Sequence, residues 1–505
     1  MARLSLKEPR TRFRRHLLQP EALQLIPEAL ARKHSAIPLA VHDDILRVAM
    51  ANPADIFALE ALATQSQKRI EIEVASDEEI QDAIDFNYKA YDEIEKQISS
   101  IPLPSKTADG QLELDNVINT PIAQALTLMI DEAVKARASD IHLQPQEDKL
   151  RVRYRIDGTL HDMLSLPLAT ATPLCSRIKI LANMNIAEHR RPQDGQFSFN
   201  MKGRLLDIRV GTTPTVYGEM AALRLLDKSR ANLALSELGF LPESLAKYEK
   251  MLKVPYGMIL VSGPTGAGKT TTLYASVNCL DHVGQNIITI EDPVEYRFQS
   301  ISQIQVNSRA GITFSSGLRS ILRLDPDVIL VGEIRDAETA KIAIQSALTG
   351  HLVLSSIHAN DATGAVFRLL DLDVEPFLIS SSLICVVAQR MVRKICPDCA
   401  HPVDAPLIEE MAYSKEIGEQ RSEFLYGKGC KSCANTGYRG RTGIFEIMCI
   451  SDEMKMILLN DVTATQLRTQ AIKEGMIPLM KDGMLKVKAG ITTPSEVLRN
   501  AYSAD

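Results

Sequence analysis

The 505-residue chain is 45% apolar and 24% charged, ordinary values for a globular protein with material for about three domains. Its formal net charge of −6 is not the basic excess of a dedicated nucleic-acid binder, and no apolar run reaches the roughly 18 residues of a membrane-spanning helix. The first 19 residues hold five arginines and one lysine with no apolar stretch among them, which is not a secretory signal, so the chain is expected in the cytoplasm with only peripheral membrane contact.

Helical periodicity over residues 21–34 leads into apolar runs at 37–40 and 45–50. A helix is predicted over 55–65, a strand at 70–74 and a long helix over 77–97, together a small α/β unit. Residues 99–111 carry two prolines, a glycine and few apolar side chains, and read as a linker. A second unit opens at 114 with a predicted helix over 119–138. Strands follow at 149–156 and 205–210, with turn signals at Asp157-Gly158 and Asp194-Gly195. Arg151, Arg153 and Arg155 alternate along the first of these strands and so share a face.

From residue 233 the pattern changes. Short apolar runs at 257–261, 286–290, 328–331 and 352–357 are separated by helical or loop sequence, the pattern of a mostly parallel sheet covered by helices on both faces. Between the first run and a helix-compatible stretch lie Gly263, Pro264, Thr265, Gly266, Ala267, Gly268, Lys269, Thr270 and Thr271, matching the phosphate-loop pattern in full. Glycines let a backbone wrap an anion where a side chain would collide, and the amides of the following helix N-terminus face that anion. Lys269 is placed to reach outer phosphates, and the Thr270 hydroxyl to hold Mg²⁺.

Ligands of open parallel sheets bind beyond the carboxyl ends of the strands. Here those ends carry Glu291, Asp292 and Glu295, then Glu333, then His358. Carboxylates in such places suit the holding of a metal ion and the orientation of an attacking water.

Taken together, residues 263–270, 290–295, 324–333 and 350–360 resemble the Walker A, Asp box, Walker B and His box of the type II secretion and type IV pilus assembly ATPases. Residues 138–145, 151–158, 191–195 and 207–210 are similar to the signature of that family's second N-terminal domain; Gln144 and Ser356 depart mildly from its pattern. The resemblance implies an α/β fold with a RecA-like P-loop ATPase core, a preceding PAS-like α/β domain, a small α/β N-terminal domain and a zinc-binding insertion. The expected boundaries are 1–98, a linker at 99–113, then 114–232 and 233–505. It implies catalytic roles for Lys269, Glu295, Glu333, Arg209 and Arg224, with Glu295 preferred over Glu291 as the base. It also implies γ-phosphate sensing by His351 and His358, and a ring, expected to be a hexamer, that works on ATP with Mg²⁺.

Cys396, Cys399, Cys430 and Cys433 form two CxxC pairs, a spacing that suits one closed, structural Cys₄ zinc site. The other cysteines, at 175, 279, 385 and 449, read as ordinary small core residues. Residues 26–27, 37–39 and 49–53 resemble the family's first N-terminal domain, which docks on an inner-membrane or cytoplasmic partner; an inner-membrane platform protein is a further implied partner. Some relatives bind cyclic di-GMP through a leucine-rich motif that is not visible here, so such binding is not expected. Two other classes of function remain: a nucleic-acid motor, disfavoured by the net charge and the lack of a basic–aromatic stripe, and a nucleotide-regulated scaffold without turnover, disfavoured by the intact acids.

Overall fold

Strands buried on one face alternate polar and apolar residues, whereas strands buried on both read as continuous apolar runs. Both kinds occur here, in two separate units of the computed structural model, which describes residues 18–77, 80–81, 83–84, 121–201, 204–227, 233–460 and 463–501. The first unit lies within Met1–Lys228 together with Cys396–His401 and Gly427–Arg439. The second comprises Ser229–Ile395, Pro402–Tyr426 and Gly440–Asp505.

The first unit holds two sheets. In the smaller, β1 (Ala36–His42) and β2 (Ile45–Met50) are antiparallel, and helix α3 (Ile56–Ser66) carries the chain over to β3 (Arg69–Val74), parallel to β2. The single helix expected over 21–34 is two, α1 (Pro20–Leu25) and α2 (Glu28–Lys33). Pro27 lacks the N–H that a continuous helix needs and drives Ile26 into an extended conformation. The helix expected over 77–97 and the linker at 99–111 fall almost wholly outside the described residues.

The larger sheet is preceded by α4 (Pro121–Lys135). It contains β4 (Ala138–Pro145), β5 (Lys149–Ile156), β6 (Thr159–Pro167), β7 (Gln193–Met201), β8 (Arg204–Thr215) and β9 (Gly218–Asp227), in the order β6-β5-β4-β9-β8-β7. The predicted helix over 119–138 is thus too long: Arg137 is left-handed (φ 58°) and Ala138 already begins a strand. Along β5, Leu150, Val152, Tyr154 and Ile156 enter the core beneath α4 and α5 (Ala171–Leu181), where the Tyr154 hydroxyl donates to the Met129 carbonyl at 2.7 Å. Arg151, Arg153 and Arg155 alternate with these and share the other face, as expected.

Asp157-Gly158 is a turn, with φ of 47° and 90°. Asp194-Gly195, expected to be another, lies inside β7. Glycine serves close approach there instead, since a Cβ at position 195 would sit 2.4 Å from the Ala182 carbonyl oxygen.

The second unit begins with α6 (Pro242–Leu252) and is built on a seven-stranded sheet. Its order is β12-β11-β13-β14-β10-β15-β18, using β10 (Gly257–Ser262), β11 (Ile287–Glu291), β12 (Ser302–Gln305), β13 (Val328–Val331), β14 (Leu352–Ile357), β15 (Leu383–Ile395) and β18 (Tyr438–Cys449). A two-stranded ribbon, β16 (Ala400–Asp404) and β17 (Glu423–Gly427), precedes β18. Strand pairs β10–β14, β10–β15, β13–β14, β11–β13 and β11–β12 are all parallel.

β10 is buried at every position. Met258 and Leu260 face a core that includes α8 (Ala337–Leu348) and α9 (Ala362–Asp371), while Ile259 and Val261 face one that includes α6 and α7 (Lys269–Asn278). Each such side chain contributes about 1.5–3 kcal/mol by leaving water, and the two-sided cover is what holds the loop after β10 against a rigid floor. The described residues close with helices α10 (Asp452–Leu458), α11 (Ala464–Lys473), α12 (Leu479–Lys488) and α13 (Pro494–Ala501).

Candidate functional site

β10 ends at Ser262, and the backbone then turns in a way that only glycine adopts without strain. Gly263 has φ 151°, Gly266 79° and Gly268 88°. At Gly263 the restriction is also steric, since a Cβ would lie 2.6 Å from the Gln389 carbonyl oxygen. Pro264, Thr265 and Gly266 form the exposed crest of the loop and Ala267 packs beneath it. α7 starts at Lys269, so its first-turn amides, with exposed Thr270 and Thr271, have no partner within the helix. The Lys269 ammonium folds over the loop and donates to the carbonyls of Gly263 (2.8 Å) and Pro264 (3.2 Å).

The parallel register carries three more strand ends to this edge. Ser262 stands opposite Ile357, Ser355 opposite Val331, and Val331 opposite Ile290. Glu333, just past β13, is largely buried; it pairs with Arg335, and His358 Nε2 lies 3.5 Å from its carboxylate. Burial lowers the Lys269 pKa below the ordinary lysine value; the Glu333 carboxylate opposes that shift, and the Arg390 guanidinium adds to it. Lys269, Glu333 and His358 therefore form one electrostatic group beside the loop. The Ser356 hydroxyl donates to the Gly332 carbonyl at 2.7 Å and secures the turn that aims Glu333.

The Asp-box acids part company. Glu291 is buried, and its carboxylate accepts from the Tyr274 hydroxyl, from Thr289 Oγ1 at 2.6 Å and from Gln303 Nε2 at 3.1 Å. Asp292 is exposed, and Glu295 is half-buried in the irregular segment beyond β11.

His351 is not brought to the site. It precedes β14, where its carbonyl accepts from the Gly257 N–H at 3.1 Å and its ring Nδ1 meets the Ser346 carbonyl at 2.9 Å. A six-residue strand separates that end of the sheet from the phosphate loop, about 20 Å at ~3.3 Å per residue. Position within a motif does not say at which end of a strand a residue falls, and His351 and His358 lie at opposite ends.

Arg209 and Arg224 belong to the first unit. They stand directly opposite one another on β8 and β9, and Arg224 in turn stands opposite Asp140 on β4, to which its Nε donates at 3.0 Å. Arg155 is the next residue in the same row, opposite Asp140.

Gln389 and Arg390 were missed from the sequence. Gln389 on β15 is buried under the loop; its amide donates to the Ala267 carbonyl (2.6 Å) and accepts from the Thr272 hydroxyl (2.8 Å). Arg390 donates to the Asn360 carbonyl at 2.7 Å. A polar Gln-Arg pair interrupting an apolar strand was the available signal.

In the cysteine segments, Sγ separations are 3.7 Å (Cys396–Cys430), 3.9 Å (Cys399–Cys433) and 3.7 Å (Cys430–Cys433), and all four sulfurs lie within 4.8 Å of one another. A tetrahedron with Zn–S bonds of about 2.3 Å has edges of about 3.8 Å, so the cluster fits that metal. The Cys433 sulfur also accepts from the N–H groups of Cys430 (3.1 Å) and Gly437 (3.3 Å). Gly427 and Gly437 pack backbone to backbone beside it, leaving no room for a Cβ at Gly427.

The family model described as type II/IV secretion system protein matches residues 115–499. The chain belongs to that family. A second model, described as the MshEN domain, matches residues 6–93. Within the secretion family, the chain is 40% identical over 504 residues to the type IV pilus assembly ATPase PilB of Myxococcus xanthus, covering 96% of this chain and 87% of that protein. It is 41% identical over 490 residues to type II secretion system protein E of Klebsiella pneumoniae, covering 95% and 97%. The X-ray structure of the Legionella pneumophila ATPase DotB has a similar fold, with a TM-score of 0.55 at 20% identity over 74% of this chain and 94% of that one. Among the described residues no helix is long and apolar enough to cross a membrane.

The Gln389 brace makes a measurable claim about this family member. Gln389→Leu keeps the volume and removes both hydrogen bonds, and it is expected to weaken ATP affinity about tenfold, ~1.4 kcal/mol, in a calorimetric titration. Unchanged affinity would show that the loop keeps its shape without the brace.

Proposed function

We propose that the chain is a motor subunit that hydrolyses ATP and couples hydrolysis to assembly of a type IV pilus or a type II secretion pseudopilus. The observation that carries this reading is the gathering of Lys269, Glu333 and His358 beside a glycine loop at the start of α7. It occurs in a chain that is 40–41% identical over at least 95% of its length to PilB and protein E.

Loop amides and Lys269 would hold the β- and γ-phosphates. Thr270 and Glu333 are the residues suited to hold Mg²⁺, which when bound neutralises phosphate charge. Water attacks the γ-phosphorus, the bond to the β–γ bridging oxygen breaks, and the water proton passes to a carboxylate as ADP leaves. We assign that carboxylate to Glu295. Glu291 is buried, with three donors already on its oxygens, and is suited to holding structure. His358, whose Nε2 lies 3.5 Å from the Glu333 carboxylate, reports on the γ-phosphate through that acid.

The resemblance to the family supports Arg209 and Arg224 as arginines that stabilise charge on the transferring phosphoryl group. It also supports a hexameric ring at the cytoplasmic face of the inner membrane, engaging a platform protein and a docking protein. A net charge of −6 argues against a nucleic-acid track. Cys396, Cys399, Cys430 and Cys433 hold a structural zinc in this reading.

In a steady-state phosphate-release assay, Lys269→Ala is expected to abolish turnover. Glu295→Gln is expected to lower kcat about 10²–10⁴-fold while keeping ATP binding; wild-type turnover in Glu295→Gln would place the base elsewhere. Elemental analysis of the purified chain is expected to find zinc at about one equivalent, lost in Cys430→Ser. A purified chain without zinc, or a Cys430→Ser variant that keeps a full equivalent and melts at the wild-type temperature, would count against the zinc site.

A further inference from the structure

The segment that carries Glu295 has no regular secondary structure, so its position must be set by side chains from elsewhere. Three supply it. Gln305 Oε1 accepts from the Val294 N–H at 3.3 Å. Gln303 Oε1 accepts from the Phe298 N–H at 2.8 Å, and its amide group donates to the Tyr296 carbonyl at 3.0 Å as well as to Glu291. Both glutamines lie on β12, with one strand residue between them. The third contact comes from the phosphate-loop helix itself: the Glu295 N–H donates to the hydroxyl of Tyr274 at 3.2 Å.

Tyr274 stands five residues after Lys269 on α7, about 7.5 Å along a rigid helix. It is buried, with its ring edge-on to Phe298 (centroids 5.0 Å apart, planes at 85°) and to Tyr296 (6.0 Å, 66°). Its hydroxyl has one proton and donates it to Glu291. A carboxylate offers only acceptors, so Glu291 dictates the direction of the relay. With its proton turned toward Glu291, the phenol presents a lone pair to the Glu295 N–H. Thr289 and Gln303 hold the Glu291 carboxylate in that service.

We propose that Tyr274 is a positioning residue that ties the phosphate-loop helix to the segment bearing the general base, with Glu291 as the group that orients its hydroxyl. The proposal rests on the reading of this site as one of ATP hydrolysis with Glu295 as base. Its physical content is that one phenol, packed by two aromatic rings and oriented by a buried acid, links the phosphate grip to the segment of the base. Burial, and the Glu291 carboxylate beside it, raise the phenol pKa, which keeps the donated proton in place at physiological pH.

The test compares full-length Tyr274→Phe, Glu291→Gln, the double variant and Glu295→Gln in one steady-state ATPase assay. Tyr274→Phe keeps the ring packing and loses only the hydroxyl. It is expected to lower kcat between about ten- and a hundredfold, the cost of a base displaced by a fraction of an ångström to an ångström, with KM for ATP within about twofold. Glu291→Gln is expected to cause a similar loss, and the double variant little more than either alone, because the two residues act as one relay. A merely structural role would lower the melting temperature and move KM and kcat together. Wild-type kcat in Tyr274→Phe, or fully additive losses, would overturn the proposal while leaving ATP hydrolysis intact. Wild-type kcat in Glu295→Gln would instead show that the underlying assignment of the base had failed. Should Tyr274→Phe fail to fold, Glu291→Gln alone carries the test, since it keeps the phenol and removes the acid that orients it; a normal kcat there would equally overturn the relay.

Discussion

β11, β13, β14 and β10 pair in parallel and in register, so their carboxyl ends finish at one edge of the sheet. Each end must then leave the sheet within a residue or two, and what it leaves behind is a polar group at a fixed height. Ser262 gives way to the glycine loop, Val331 to Gly332 and Glu333, Ile357 to His358, and β11 finishes in Glu291. No antiparallel sheet could collect four such ends, because alternate strands would send theirs to the opposite edge. The apolar cover on both faces keeps those strands from shifting relative to one another, and the chemistry inherits that rigidity.

The loop itself is squeezed between two demands. It must expose amide groups on its crest, and its base must sit directly on β15, where the Gln389 carbonyl leaves no room for a Cβ at Gly263. The resulting pocket of backbone is positively polarised and already contains Lys269 and, close by, Arg390. Two cations with little water to share are unfavourable unless an acid or an anion balances them. Glu333 supplies part of that balance, and a polyphosphate would supply the rest. The same charges thus explain why an anion is favoured here and why an acid stands at the neighbouring strand tip.

Much of this was legible in the chain. The glycine loop was legible because its residue types are dictated by backbone geometry, and the parallel strands because continuous burial leaves unbroken apolar runs. The cysteine cluster was legible from spacing alone, and its sulfur separations match a tetrahedron. Errors arose where a local pattern had to be completed by tertiary context. The early end of α4 and the placement of Asp194-Gly195 inside a strand reflect packing that a window of residues does not contain, whereas the break at Pro27 is local and follows from the proline itself. His351 and His358 belong to one motif yet sit at opposite ends of β14, and Glu291 and Glu295 belong to another yet differ in burial, the first closed inside the end of β11 and the second half-buried beyond it. Tyr274 carries no motif and is marked only by its contacts, and Gln389 is marked by its contacts and by its polarity within an apolar strand.

The central claim is that the loop over residues 263–270 grips a triphosphate while the strand tips beside it respond. Hydrogen exchange on the full chain, with and without a non-hydrolysable ATP analogue and Mg²⁺, tests this most directly. The account predicts slowed exchange at the amides of residues 265–271, with smaller protection at 293–298 and 332–334. Protection confined to other parts of the chain, with residues 265–271 unchanged at saturating analogue, would contradict it.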